Sequence, residues 1–239
     1  MDTPCVNLNS VELFGGIFFG GNGMQRGAIF DMDGTIFDTE RFYVKAWIEV
    51  ADLFGVQRHP SIGLEMSGTN QAEASKVFAT HYPQLDAKKY FDKVVDTVAE
   101  WSETKLEFLP GAKEILDYFK THRVLMSVAS GSPRRVIERN LHRSNIREYF
   151  VTAVGGDEIV NGKPEPDIFL KAAAQMNLSA KDCYVFEDSF NGIIAAYRAG
   201  CVPVMIPNQR EPSDEIRKLC AGIYKDFFAA IVAIEQQKI

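Results

Sequence analysis

Hydrophobic positions follow two rhythms along this chain. One is a set of short runs, apolar on both faces, at residues 28–30, 124–129, 151–154, 183–186 and 202–206. Runs of this length, bounded by turn residues, predict buried parallel strands. The other is a helical spacing in the segments between them. Residues 111–120 follow Pro110 and put Ile115, Leu116 and Phe119 on one face, and residues 133–142 open after Ser132, a good N-cap. Residues 166–176 and 191–199, the latter stopped by Gly200, complete the alternation. Strand and helix in turn predict an α/β fold, a Rossmann-like doubly wound parallel sheet that takes its ligand at the carboxyl ends of the strands.

One interval does not alternate. Between Asp38 and Leu109 lie about 70 residues without a good strand, too long for a loop in a compact domain. Helical faces dominate it: Val44, Trp47, Ile48 and Ala51 on one, and Tyr90, Phe91, Val94, Val95 and Val98 on another. Pro60 and Pro83 punctuate the runs, and Gly55, Gly63 and Gly68 read as turns. The division expected is an α/β core of residues 24–38 and 109–239, an α-helical insert at 39–108, and a glycine-rich extension at 1–23 outside the fold, with Met24 as a candidate start. The length of 239 residues suits one domain with an insertion better than two equal domains.

Composition narrows the partners. A net charge of −6 argues against general affinity for nucleic acid or an anionic membrane. Cys5, Cys183, Cys201 and Cys220 form no Cys-x-x-Cys pair, so a reducing cytoplasm is the simplest setting. The apolar stretch at 11–20 is short and broken by Glu12 and glycines, too little for a membrane span, and no basic residue precedes it as in a secretory signal. No protein partner is implied.

The chemistry gathers at predicted strand ends. Asp31-Met32-Asp33-Gly34-Thr35 directly follows the first strand. A plain turn would use Asp and Gly too. The functional reading makes Asp31 a nucleophile and Asp33, two residues on and facing the same cleft, a general acid and base. Ser130 and Gly131 follow the second run, with Gly131 letting backbone approach a ligand and the next helix offering N-terminal amides to an anion. Lys163 sits in Gly-Lys-Pro-Glu-Pro-Asp, where Pro164 and Pro166 limit where its ammonium can go. Glu187 and Asp188 end an apolar strand, a poor place for two acids unless they are solvated or hold a cation.

These four motifs, in this order, resemble the haloacid dehalogenase superfamily, and most closely its β-phosphoglucomutase-like branch of hydrolases with a helical cap. The resemblance runs from Arg26 onward. It implies that Asp31 takes the phosphoryl group, that Asp33 is the acid-base partner, that Ser130 binds the transferring oxygens and that Lys163 bridges nucleophile and phosphate. It also implies Mg²⁺ on the Asp31 carboxylate, the Asp33 main-chain carbonyl and Asp188, with Glu187 a further ligand, and it places a helical cap where the insert lies. Charge agrees: two carboxylates about 4 Å apart repel by about 4 kcal/mol even at an effective dielectric of about 20, so a hard cation with oxygen ligands is needed. An acid at Asp33 also argues against dehalogenation, which has no alkoxide to protonate.

Hydrolysis and mutase chemistry share this core, and two cap positions separate them. The position matching a histidine of β-phosphoglucomutases is Tyr43, and the one matching an arginine that clamps a second phosphate is Gln71. A neutral amide cannot replace a bidentate guanidinium. The reading is a Mg²⁺-dependent phosphatase of a small, sugar-like phosphomonoester, acting through an aspartyl-phosphate. A hexose-phosphate mutase is the alternative enzyme, and a phosphoryl-accepting signalling module the alternative of another class. Thr39, Glu40 and Asn70 are ordinary helix or loop residues by default and candidates for a polar substrate wall. His59, His81, His122 and His142 fall in no metal spacing, Trp47, Phe78, Phe91 and Trp101 read as core of the insert, and Arg134 and Arg135 as solvated helix charges.

Overall fold

The structure is a computed structural model that describes residues 26–67, 69 and 71–239. The 1–23 extension with Cys5, the Gly68 turn and Asn70 lie outside the described residues, as does the side chain of Gln71. Six strands, β1 (Gly27–Phe30), β2 (Leu125–Ser130), β3 (Thr152–Gly155), β4 (Cys183–Glu187), β5 (Val202–Met205) and β6 (Gly222–Ile223), form one sheet in the order β3-β2-β1-β4-β5-β6. Every pairing is parallel, and Phe30 stands opposite Val128 on one side and Phe186 on the other. The five expected runs are all strands, while β6, two residues at the edge, carried too little pattern to be expected.

Both faces of the sheet are covered, which is why its central strands are apolar throughout. On one face Phe30 stacks on Phe186 at 4.9 Å between ring centroids and meets Phe119, Phe150 and Phe227. These rings come in part from α5 (Ala112–Thr121) and α10 (Phe227–Glu235), joined there by Ile137 and Leu141 of α6 (Arg134–Arg143). On the other face Ile29, Ala129, Val154 and Val185 pack under α7 (Asp167–Gln175) and α8 (Phe190–Arg198). Helix α10 was not expected, although Asp226 caps it, accepting from Ala229 N at 2.8 Å. A short helix, α9 (Asp214–Arg217), precedes β6.

The interval after β1 is helical: α1 (Glu40–Glu49), α2 (Ile62–Met66), α3 (Gln71–His81) and α4 (Ala87–Lys105). These helices have their own core, with Phe42, Ala46, Phe78, Tyr82, Tyr90, Val94 and Val98 buried together. The buried stripe of α1 is Phe42 and Ala46, continued by Val50, and Trp47 and Ile48 flank it rather than form it. Gly55 is a turn, with φ +65° closing a 3-10 segment. Gly63 is not: it lies inside α2, where a Cβ would come within 2.1 Å of the Val44 carbonyl oxygen, so it is a point of helix contact. The chain enters and leaves the helices side by side, with Phe37 bridged to Phe108 and Asp38 N donating to Glu107 O at 3.0 Å. Among the described residues no helix is long and apolar enough to cross a membrane.

Candidate active site

The strand order reverses between β1 and β4, and in such sheets the crevice beyond the carboxyl ends at that point is where ligands bind. A cavity of about 940 Å³ opens there, walled on its far side by α1, α2 and α4. All seven residues singled out from the motifs, Asp31, Asp33, Ser130, Gly131, Lys163, Glu187 and Asp188, line it.

Asp31 follows β1 and is 6% exposed. Its Oδ1 accepts from Lys163 Nζ at 2.5 Å. That ammonium also donates to Glu187 Oε1 at 2.6 Å and reaches the Ala129 carbonyl at 3.4 Å. The lysine loop is tied to α8, with Arg198 Nη1 donating to Pro164 O at 3.1 Å and to Glu165 at 2.8 Å. Burial would push Lys163 down, but Asp31 and Glu187 outweigh it and hold the ammonium above its ordinary range.

Asp33 is held by hydroxyls. Its Oδ1 accepts from Thr39 Oγ1 at 2.7 Å, and its Oδ2 from Ser132 Oγ at 2.6 Å and more distantly from Ser130 Oγ at 3.4 Å. Gly34, at φ +79°, makes the turn after the two acids, and a Cβ there would meet Asp188 Oδ2 at 2.5 Å and Glu40 Cγ at 2.7 Å. Thr35 Oγ1 donates to Asp188 Oδ1 at 3.1 Å. The motif therefore places one acid on the lysine, a second among hydroxyls, and draws the β4 acid against its turn.

Three expectations change at this level. Ser132 is not the cap of α6: Pro133 occupies that position without a side-chain cap bond, and the Ser132 hydroxyl goes to Asp33. The first amide of α6 is not free for an anion either, because Arg134 N donates to Asp157 Oδ1 at 2.8 Å. Glu187, expected as a metal ligand, has both oxygens committed, Oε1 to Lys163 and Oε2 to Ser189 N and Oγ at 2.7 and 2.9 Å. It is a buried anchor for the lysine at the wall of the cavity.

Gly131 is exposed, and a Cβ on it would meet nothing, so its backbone faces open cavity. Arg134 is engaged with Glu138 and Glu158, away from any anion in the cavity. Glu40, by default an ordinary helix residue, lines the cavity and accepts from Ser67 Oγ at 3.0 Å. Its side of α1 also brings in Tyr43, which lines the same cavity. The signal available in the sequence was their position: Glu40 and Tyr43 share a face with Trp47 at helical spacing directly after the acid motif.

The electrostatics are unbalanced. Five acids, Asp31, Asp33, Glu40, Glu187 and Asp188, line a cavity whose cationic lining residues, among the described residues, are Lys163 and Arg210. Burial pushes the Asp31 and Glu40 carboxyls up, and Asp188 well up with further help from Glu187 and Glu40. Among the described residues no three His, Cys, Asp or Glu side chains converge into a ready metal cage. Two carboxylates and a main-chain carbonyl, the set expected from Asp31, Asp188 and Asp33, do not require one. Oxygen donors in charge excess suit a hard divalent cation that keeps part of its water and shares a substrate phosphate.

The family model of the haloacid dehalogenase-like hydrolases matches residues 28–206, from β1 past β5. The chain belongs to that family. A phosphorylated carbohydrates phosphatase of Thermotoga maritima is 33% identical over 174 residues, covering 72% of this chain and 80% of that one. A fructose-1-phosphate phosphatase of Escherichia coli is 34% identical over 177 residues, covering 73% and 92%. Among solved structures, a β-phosphoglucomutase of Clostridium difficile shares the fold with a TM-score of 0.73 at 21% identity, covering 90% of this chain and 97% of that one. With such relatives the chain is a phosphoric monoester hydrolase.

Proposed function

We propose that this hydrolase is a Mg²⁺-dependent phosphatase of a small, sugar-like phosphomonoester and works through an aspartyl-phosphate at Asp31. The observation that carries the reading is the split between the two motif acids. Asp31 is paired with Lys163 at the strand end, and Asp33 stands beside it, held by Thr39 and Ser132. One carboxylate is thus presented as nucleophile and the other as a separately held proton carrier.

In the first half-reaction an Asp31 oxygen attacks phosphorus, the bond from phosphorus to the alcohol oxygen breaks, and Asp33 gives its proton to that oxygen. In the second, Asp33 takes a proton from water, the hydroxide attacks phosphorus, and Asp31 is released with free phosphate. Lys163, fixed between Asp31 and Glu187, neutralises charge on the transferring group, and Ser130 Oγ stands where it can donate to it. Asp31, Asp188 and the Asp33 carbonyl would hold Mg²⁺, which would supply the further positive charge that lets a phosphate dianion approach so many acids. Glu187 then positions Lys163 and is not a ligand.

The names of the carbohydrate and fructose-1-phosphate phosphatases support a sugar-like substrate. Tyr43, in the place of the mutase histidine, supports hydrolysis over isomerisation. The helices between β1 and α5 weigh against a receiver-like phosphoacceptor, which has no such insert. A phosphate-release panel of sugar, polyol and nucleotide monophosphates, with Mg²⁺ or EDTA, tests the proposal. It expects turnover only with Mg²⁺ and loss of turnover in Asp31→Asn. Undiminished release by Asp31→Asn would overturn the mechanism, and uniformly low activity across the panel would overturn the substrate class.

A further inference from the structure

Ser132 breaks a local rule. It directly precedes a proline-started helix, where a serine normally turns its hydroxyl back onto the first amides. Here α6 begins without a side-chain cap bond, and its first amide is served instead by Asp157. The hydroxyl released from capping lies 2.6 Å from Asp33 Oδ2. Departures from local preference of this sort gather at functional sites.

The backbone that carries Ser132 is fixed from behind. Gly156 N donates to the Ser132 carbonyl at 3.0 Å, and a Cβ on Gly156 would come within 2.2 Å of the Gly131 carbonyl oxygen. Ser132 N in turn donates to Ser130 Oγ at 3.1 Å. Ser132 is 9% exposed, so its hydroxyl is a fixed point and not a surface rotor.

We infer that Ser132 is a positioning residue for the acid-base step: it holds the Asp33 carboxyl at the place from which a proton reaches the leaving oxygen. Ser130, whose bond to Asp33 is long and whose oxygen already accepts from Ser132 N, keeps its hydroxyl proton for the phosphoryl group. The two serines of one loop thus divide the work. This assignment rests on the proposed phosphatase reading for its chemical meaning, though not for its geometry.

The test compares leaving groups in single turnovers with Mg²⁺. A nitrophenolate departs without a proton and an alkoxide does not, so only the latter needs a placed acid. Ser132→Ala is expected to slow phosphoryl transfer from glycerol 3-phosphate by about 100-fold and to spare the nitrophenolate burst from 4-nitrophenyl phosphate. Ser132→Thr, which keeps the hydroxyl, is expected to restore most of the alkyl rate. Equal slowing of both substrates would make Ser132 a phosphate-binding or structural residue and overturn the inference, as would no slowing of either. A crystal structure of Ser132→Ala provides a readout independent of turnover. Displacement of the Asp33 carboxyl supports the inference and an unmoved one overturns it, even if the wild-type protein hydrolyses neither ester and the phosphatase reading fails.

Discussion

Replacing Gly192 by alanine sets two opposing effects against each other. Gly192 lies in the first turn of α8, and a glycine inside a helix ordinarily costs about 0.5–1 kcal/mol relative to alanine, so helix preference alone predicts a stabler protein. The site predicts the reverse. A Cβ at Gly192 would stand 1.8 Å from Glu187 Oε1 and 1.9 Å from its Cδ, well inside contact distance. The glutamate must move, and the oxygen that meets the methyl is the one that accepts from Lys163 at 2.6 Å. Separating a buried ion pair costs about 3–5 kcal/mol, so about 2–4 kcal/mol of destabilisation remains after the helix gain. At the size of this chain that corresponds to a fall in Tm of about 5–15 °C, read by calorimetry. Turnover should fall as well, by about 100-fold, because Lys163 loses the anchor that sets its distance to Asp31. A Tm at or above wild type with turnover unchanged would refute the reasoning, since it would mean that Glu187 can vacate its place without consequence.

Metal and pH are linked through the buried acids. Burial raises Asp31 to about 8 and Glu40 to about 7 from ordinary carboxylate values near 4, so between about pH 4 and pH 8 the folded state retains protons that the unfolded chain gives up. Stability from these groups is lost as pH rises, through about 7 for Glu40 and about 8 for Asp31. The Tm gain on adding Mg²⁺ to protein in EDTA should therefore be larger at pH 8 than at pH 5.5, and a gain independent of pH would refute the link. Lys163→Met strands Asp31 and Glu187 without a cation, and denaturant melts should show a loss of about 3–5 kcal/mol at pH 8 and a smaller loss at pH 5.5; an equal loss at both would contradict the pairing. Gly63→Ala forces a methyl against the Val44 carbonyl oxygen and should cost about 1–3 kcal/mol, with amide exchange rising in α1 and α2 but not in the sheet. Unchanged exchange in α1 and α2 would refute the close contact.

What the sequence revealed depended on how local the cause was. Strands buried on both faces announced themselves as apolar runs, and β1, β2 and β4 differ from expectation by about a residue at their ends, within the usual fraying of such boundaries. The motif residues could be named because they follow those runs directly. Nothing local distinguishes Gly63 in a helix from Gly55 in a turn: the first is required by a carbonyl on another helix, the second by its own φ. Ser132 read as a cap because its sequence neighbours make it one, and only the approach of Asp33 redirects it. Glu187 read as a ligand because an acid at a strand end needs a cation, and the cation it found, Lys163, arrives on a loop anchored by another helix.

The pairing of β1 also bears on the order in which the molecule is built. Gly27 lies beside Leu125 and Cys183, so the strand that leads to Asp31, the proposed nucleophile, has neither neighbour available until much of the chain has been made. The helices between α1 and α4 complete their packing with residues close in sequence and need not wait. Synthesis from the N-terminus would leave β1, with Phe30 and Asp31 uncovered, without its two neighbours until β2 and then β4 emerge. The candidate site is therefore complete only once β4 has been made, and a ribosome-bound chain ending before Cys183 would carry the cavity-lining helices without Glu187 and Asp188.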